Sequence, residues 1–238
     1  MTASAPSPTF EITHGPAFAL LRVDLQPGQQ LFAEAGAMVA RQSHLGMRVR
    51  LNAGRSPSLW ARLTAFFVAW LRKMLGGETF FVSAFETDAP GSVWLAPAMS
   101  GQITHRRLNG ERLILSAGAY LASAGDIDVR LRFGGLRALL AREGLFFLEV
   151  SGHGDLWITS YGAIHAIDLE RPFLVDTGHL VGFEGALDWS IRGAGGGLMG
   201  LVASGEGLVC EFRGRGRVYL QSRNESTLVH WLGGLLGG

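Results

Sequence analysis

"RGRGRVYLQSRN" (residues 213–224) sets three arginines among glycines, then runs into an alternating stretch that closes on a fourth arginine. Three readings fit such a segment: a glycine-rich cradle for phosphate, an arginine patch for RNA, or a β-hairpin with a basic turn. The rest of the chain decides among them, because the segment has siblings. "GETFFVSAFETDAPGSVWLAPAMSG" (77–101), "EGLFFLEVSGHGDLWITSYG" (143–162) and "EGLVCEFRGRGRVYLQSRN" (206–224) share one order. An acidic residue stands beside glycine, then come an apolar strand, a glycine-containing turn and an alternating strand bearing Trp94, Trp157 or Tyr219. The siblings carry "DAPGS" and "GHGD" at the turn, without an arginine excess. The reading is therefore a hairpin turn in which Gly214 and Gly216 supply positive φ. A phosphate loop also needs a helix N-terminus after the glycines, whereas "VYLQS" alternates as a strand. Whether Arg213, Arg215 and Arg217 grip an anion stays open at this level.

Two further blocks recur. "LRVDLQPGQQLFAEAGAMVA" (21–40), "THRRLNGERLILSAGAYLAS" (104–123) and "IHAIDLERPFLVDTGHLVGF" (164–183) each alternate up to a leucine, pass a polar turn and an apolar strand, and reach a glycine. The leucines are Leu25, Leu108 and Leu169; the glycines are Gly36, Gly118 and Gly178. "GMRVRLNAG", "DIDVRLRFGG" and "ALDWSIRGAGG" form a period-two linking block. Self-similarity of this kind marks a repeat architecture. The expected fold is all-β: three pseudo-symmetric β-sandwich or β-roll repeats of the double-stranded β-helix type. Because the hairpin block ends the chain and the leucine block begins it, the repeats read as circularly permuted. The termini are then predicted to lie side by side, closing a three-part ring without free sheet edges. Residues 1–9 read as a disordered tail, 10–230 as one three-repeat β domain, and 231–238 as an apolar, glycine-containing tail without an assigned structure.

The copies differ at one insertion point. "SPSLWARLTAFFVAWLRKMLGG" (56–77) reads as a helix with Ser56 as N-cap, Pro57 at the first helical position and Gly76 past the end. Its apolar stripe includes Trp60, Leu63, Phe67 and Trp70. That stripe docks on its own β core, on another subunit or on a membrane surface, and the three stay open. Copy two has the short "GLRALLAREG", and copy three the glycine-rich "GAGGGLMGLVASGEG".

Composition narrows the function classes. The 238 residues are 47% hydrophobic and 17% charged, which predicts a sizeable core. Lys+Arg 21 against Asp+Glu 20 leaves +1, so no global field draws nucleic acid or anionic lipid. The single cysteine, Cys210, excludes an internal disulfide and a CxxC site, and reads as a buried, inert thiol. The start "MTASAPSPTF" lacks the pattern of a signal peptide, and the longest apolar run, "AFFVAW" (65–70), falls far short of a membrane span. The expectation is a soluble, intracellular protein.

Catalytic patterns are sparse. "FLVDTG" (173–178) resembles the Asp-Thr-Gly of aspartic proteases, but its counterparts "LILSAG" and "LFAEAG" share only the glycine. Asp176 therefore reads as a residue bonding turn amides. The seven histidines form no HxH, HExxH or zinc spacing, and no catalytic elbow or Walker loop occurs. His153 and His179 are the pair that equivalent blocks could bring together, with hydrogen-bonded histidines as the plainer reading. For RNA, Trp157 and Tyr219 would have to face outward among cations. The expectation is no catalytic residue, no cofactor and no metal.

"AEAGAMV" (33–39), "DTGHLVGF" (176–183) and "GEGLVCEFRGRGRVYLQSRN" (205–224) resemble the signatures of the altered-inheritance-of-mitochondria family, member twenty-four, a domain of unknown function. Asp176, Thr177, Gly178 and His179 match one signature; Glu206, Gly207, Gly214, Gly216, Val218, Tyr219, Leu220 and Gln221 match another. Arg215 and Ser222 depart from it, and the Trp/Phe-rich insertion replaces a glycine-rich one. The resemblance implies a β fold like that of the tryptophan-RNA-binding attenuation protein, in three repeats. It implies neither that protein's ligands nor its RNA binding. Its fungal branch is associated with mitochondrial inner-membrane organisation. The functional expectation is a non-enzymatic, homo-oligomeric scaffold, cytoplasmic or peripheral at the inner membrane face. Its candidate surface joins Trp60, Leu63, Phe67 and Trp70 with Arg213, Arg215 and Arg217. The alternative is a small-ligand or nucleic-acid binder that uses clefts between repeats and the arginine turn.

Overall fold

Alternating apolar residues and glycine-marked corners put most of the described residues in strands. A computed structural model describes residues 7–51, 81–133, 146–193 and 208–236. Among the described residues fourteen strands precede one α-helix. The first seven are β1 (Thr9–Thr13), β2 (Leu20–Leu25), β3 (Gln30–Glu34), β4 (Met38–Arg41), β5 (Gly46–Leu51), β6 (Phe81–Glu86) and β7 (Gly91–Leu95). Next come β8 (Ile103–Ser116), β9 (Tyr120–Phe133) and β10 (Phe146–Thr159). The last are β11 (Ile164–Leu169), β12 (Phe173–Asp176), β13 (Leu180–Gly193) and β14 (Leu208–Gln221), followed by α1 (Glu225–Leu236).

Pairing is antiparallel and falls into three matched sets. In the second set β10 lies between β8 and β9; in the third, β14 has β13 on one edge and β11 and then β12 along the other. In the first set each strand is broken at its corner, so β7 lies between β2 and β4 while β6 lies between β3 and β5. One cross-strand pair recurs: Leu25 opposite Gly91, Leu108 opposite Gly154, and Leu169 opposite Gly216. The sets join where β9 pairs with β3 and where β13 pairs with β8.

The result is a four-stranded sheet, β1-β2-β7-β4, and a ten-stranded sheet running from β11 to β5. Both sheets are open. This corrects the expected circular closure: no pairing among the described residues joins the first set to the third. Three sets in one open chain make two junctions, and the described residues show those two, β9 with β3 and β13 with β8.

The second correction concerns the opening stretch. Residues 213–217 are not a turn between two strands; they lie inside the 14-residue β14, opposite Asp188 to Glu184 of β13. "GHGD" likewise lies inside β10. Here the strands bend instead of reversing. Of the two glycines expected at positive φ, Gly214 has φ +108 but Gly216 does not adopt it; the partner across from Gly216, Gly185, has φ +99 instead, and a Cβ on it would stand 2.7 Å from the Gly216 Cα. Gly125, φ +89, meets the Gly154 Cα in the same way at 3.0 Å. Two backbones cross this closely only without side chains between them.

Three apolar clusters follow the chain. Leu21, Val23, Leu25, Leu31 and Phe85 anchor the first; Leu108, Leu113, Leu148 and Leu156 the second; Leu169, Val175, Phe212 and Val218 the third. Fully burying each such side chain is worth about 1.5–3 kcal/mol, so the clusters hold the bent strands together. The unassigned apolar tail proves helical through Leu236, within a helix that opens at Glu225. Thr9, placed in the tail by sequence, already belongs to β1.

Candidate functional site

The alternation of β14 sends Arg213, Arg215 and Arg217 to one exposed face and buries Phe212 and Val218 on the other. Two of the three arginines are paired. Arg213 Nη2 donates to Glu211 Oε1 at 3.0 Å, and Arg192 Nε lies 3.0 Å from the other oxygen of that carboxylate. Arg217 forks onto Asp168, with Nε and Nη2 donating at 2.7 and 2.8 Å. These bonds hold the Asp168 and Glu211 carboxyls below the usual carboxylate range. Arg215 has no ion-pair partner among the described residues. With Arg217 it lines an open cleft of about 480 Å³ whose acidic members are Asp168, Glu170 and Glu184.

Deeper in, Arg106 of β8 reaches across the junction between sets. It donates to the Tyr219 hydroxyl and, at 2.9 Å, to Glu184 Oε2, while its Cζ lies 5.7 Å from the Tyr219 ring centroid. Tyr219 in turn donates to Glu184 Oε1. Burial, together with that carboxylate, pushes the Tyr219 phenol up to about 12. Comparable pairs stand beside the recurrent leucines. Asp24 accepts from Ser92 at 2.5 Å, and the buried Asp155 accepts from Arg107 at 2.6 Å and lies 2.9 Å from His105 Nε2. Asp168 with Arg217 is the third such pair, with the charges reversed relative to Arg107 with Asp155. Of the arginines in the opening stretch, Arg217 is thus a cross-strand tie to β11, while Arg213 bonds Glu211 along its own strand.

The signature residues form a corner. Asp176 Oδ1 accepts from the Gly178 amide at 2.7 Å, closing a single 3-10 turn at Thr177–His179. Gln221 at the end of β14 donates to the Gly178 carbonyl at 2.9 Å and accepts from the Tyr161 amide at 2.9 Å. His179 Nδ1 lies 2.8 Å from the Gln221 carbonyl oxygen. Gly36 and Gly118 occupy the two sibling corners, just ahead of β4 and within the 3-10 turn at Ala117–Ala119. His153 lies beside Gly110 on β8, away from His179, so the two histidines share no site. Among the described residues no three His, Cys, Asp or Glu side chains converge on a metal position. Burial lifts the Cys210 thiol to about 12, which leaves it without a thiolate at neutral pH.

Glu206 and Gly207, and the helix read over 56–77 with Trp60, Leu63, Phe67 and Trp70, lie outside the described residues. The described surface has apolar exposure of its own, which sequence reading missed: Val39 on β4, Leu174 on β12, and Val229, Trp231 and Leu235 on α1. Block alignment sets Val39 beside Leu121 and Val181, but alignment carries no information on burial. No described helix is long and apolar enough to cross a membrane.

A protein of Streptococcus pyogenes serotype M6, itself uncharacterised, is 31% identical over 218 residues, covering 90% of this chain and 86% of its own. A Streptococcus pyogenes crystal structure from structural genomics has the same fold, with a TM-score of 0.78 at 29% identity, covering 96% of this chain and 100% of its own. Residues 10–223 match the family described as Mitochondrial biogenesis AIM24, taking in the Asp176 corner, the bent β14 and the ties of all three strand sets, and the chain belongs to that family.

Proposed function

We propose that the protein is a non-enzymatic scaffold, built from three copies of one β unit, that assembles through apolar surface. The observation that carries this reading is where the large apolar side chains stand. Of Arg213, Arg215 and Arg217, two are bonded internally, whereas Val229, Trp231 and Leu235 face solvent on α1. Single exposed apolar residues are ordinary, but Leu228, Trp231, Leu232 and Leu235 follow three/four spacing on one helix. That helix contains no lysine or arginine. An anionic bilayer attracts cationic helices, so α1 suits an apolar protein surface better, and cytoplasmic placement beside a membrane complex accords with it.

Light scattering on wild type and on a Trp231→Glu/Leu235→Glu variant tests the reading. Both positions are exposed, so the variant should keep its far-UV spectrum. A multimeric wild type at micromolar concentration, with smaller particles in the variant, supports the scaffold. A monomeric wild type overturns it.

A second reading, binding of a small anion or zwitterion, rests on Arg215 at the rim of the open cleft. Three carboxylates among the lining residues oppose nucleic acid. Salt-sensitive retention on a phosphate matrix, lost in Arg215→Ala, supports small-anion binding; no retention at low salt removes it.

A further inference from the structure

Three strands carry the same irregularity. Where β4, β9 and β13 pair with β7, β10 and β14, the register skips one residue: between Met38 and Ala40, between Tyr120 and Ala122, and between Leu180 and Gly182. The bulged residues are Val39, Leu121 and Val181. Leu121 is 0% exposed and belongs to the first cluster, and Val181 is 1% exposed and belongs to the second. Each is a knob that one set inserts into the cluster of the set before it. The neighbouring ring behaves alike. Trp157 is 0% exposed in the first cluster and Tyr219 7% exposed in the second.

The first set has no predecessor. Val39 is 58% exposed, and Trp94 is half-buried with the Arg22 Cζ 5.5 Å from its ring centroid. The third set has no successor. Phe32 and Ile114, two residues before the ends of β3 and β8, lie opposite Ser123 and Phe183 and are half-buried. Leu174, two residues before the end of β12, lies opposite Glu211 of β14 on one edge, has no strand on its other edge among the described residues and is 50% exposed. Two halves of one kind of joint are thus left over on a single chain.

We propose that β4 of one copy pairs with β12 of a second copy, in the register that β9 holds on β3 and β13 holds on β8. This deepens the scaffold reading and rests on it. Counting from the bulge sets Ala40 opposite Val175 and Arg41 opposite Leu174, as Ala122 lies opposite Ala33 and Gly182 opposite Leu115. The residue that follows each bulge, Ala40, Ala122 or Gly182, is small, which lets the strands approach. Val39 and Trp94 then cover the third cluster, and Leu174 gains the neighbour that Phe32 and Ile114 have. The contact is heterologous: each copy added leaves a fresh β4 and a fresh β12, so assembly continues until a ring closes or a filament grows.

Cysteine pairing tests it. Opposite residues of an antiparallel pair have Cα atoms about 4.5–5.5 Å apart, within the disulfide range. In a Cys210→Ala background, which removes the native thiol opposite Val175, a chain with Ala40→Cys mixed with a chain with Val175→Cys should give a covalent dimer under mild oxidation, while neither alone crosslinks. The double variant should give a ladder of multimers on a non-reducing gel. Absence of the mixed dimer, an internal disulfide in the double variant, or self-linking by the Ala40→Cys chain alone would overturn the proposal. Light scattering of unoxidised wild type separates the two readings. Multimers without the mixed crosslink leave the scaffold standing and remove this joint; monomers remove both. As a second measurement, Val39→Lys should weaken association about tenfold or more with unchanged circular dichroism. Unchanged association would count against the joint.

Discussion

Replacing Gly185 by alanine separates two explanations of the glycines around the opening stretch. If they serve only to reach positive φ, the cost is the strain of φ +99 on an L-residue, about 1–2 kcal/mol. The structure adds a second cost. The new Cβ would stand 2.7 Å from the Gly216 Cα and 3.0 Å from the Arg215 carbonyl oxygen, both backbone atoms that move only with their strand. Overpacking of this kind costs about 1–3 kcal/mol. Reduced freedom of the unfolded chain returns about 0.4–1 kcal/mol. The net loss is about 1–5 kcal/mol, a large share of the roughly 5–15 kcal/mol that holds a domain together. Two controls isolate the terms. Gly28, φ +82, has nothing within 4 Å of its Cβ position and should show strain alone on replacement. Gly118 has neither positive φ nor a neighbour within 4 Å, so Gly118→Ala should be neutral or stabilising by up to about 1 kcal/mol. Urea midpoints at constant slope measure all three. A Gly185→Ala loss no greater than that of Gly28→Ala would refute the close strand crossing and restore a plain turn.

Asp176→Asn keeps an oxygen for the Gly178 amide and should stay near wild type in stability, whereas Asp176→Ala should lose about 1 kcal/mol by urea titration, as a missing cap does. Equal losses in the two variants would show that the carboxylate charge, not the cap, matters there. Folded-state values raised from 9.0 to about 12 for Cys210 and from 10.0 to about 12 for Tyr219 give an alkaline limit. The unfolded chain releases these protons first. Stability is therefore full below pH 9 and falls as pH rises toward 12, by up to about 1.4 kcal/mol per pH unit for each group. Urea midpoints at pH 8 and 10.5 should show the fall, and Cys210→Ala should delay its onset to near pH 10. Consistent with that, a disulfide reagent should label native Cys210 no faster than global unfolding permits; rapid labelling at pH 7.5 would contradict the burial.

Several features of the fold are legible in the residues alone. Period-two alternation marks the strands, and the recurrent Leu25, Leu108 and Leu169 mark the positions that end opposite Gly91, Gly154 and Gly216. The family signatures at Asp176–His179 and Gly214–Gln221 can be read directly. These succeed because alternation and left-handed glycine are local properties of the backbone. Other features are not local. A glycine at positive φ serves a reversing turn and a bent strand equally, so "RGRGR" does not reveal that β14 continues through it as one bent strand. Which carboxylate each arginine meets depends on Asp168 and Glu211, and whether Arg106 reaches Glu184 and Tyr219 depends on how β8 and β13 align. Val39, Leu121 and Val181 look alike in sequence, yet two are core and one faces water. That difference comes from counting: three sets in one open chain make two junctions, and only the tertiary arrangement decides which edges remain unpaired.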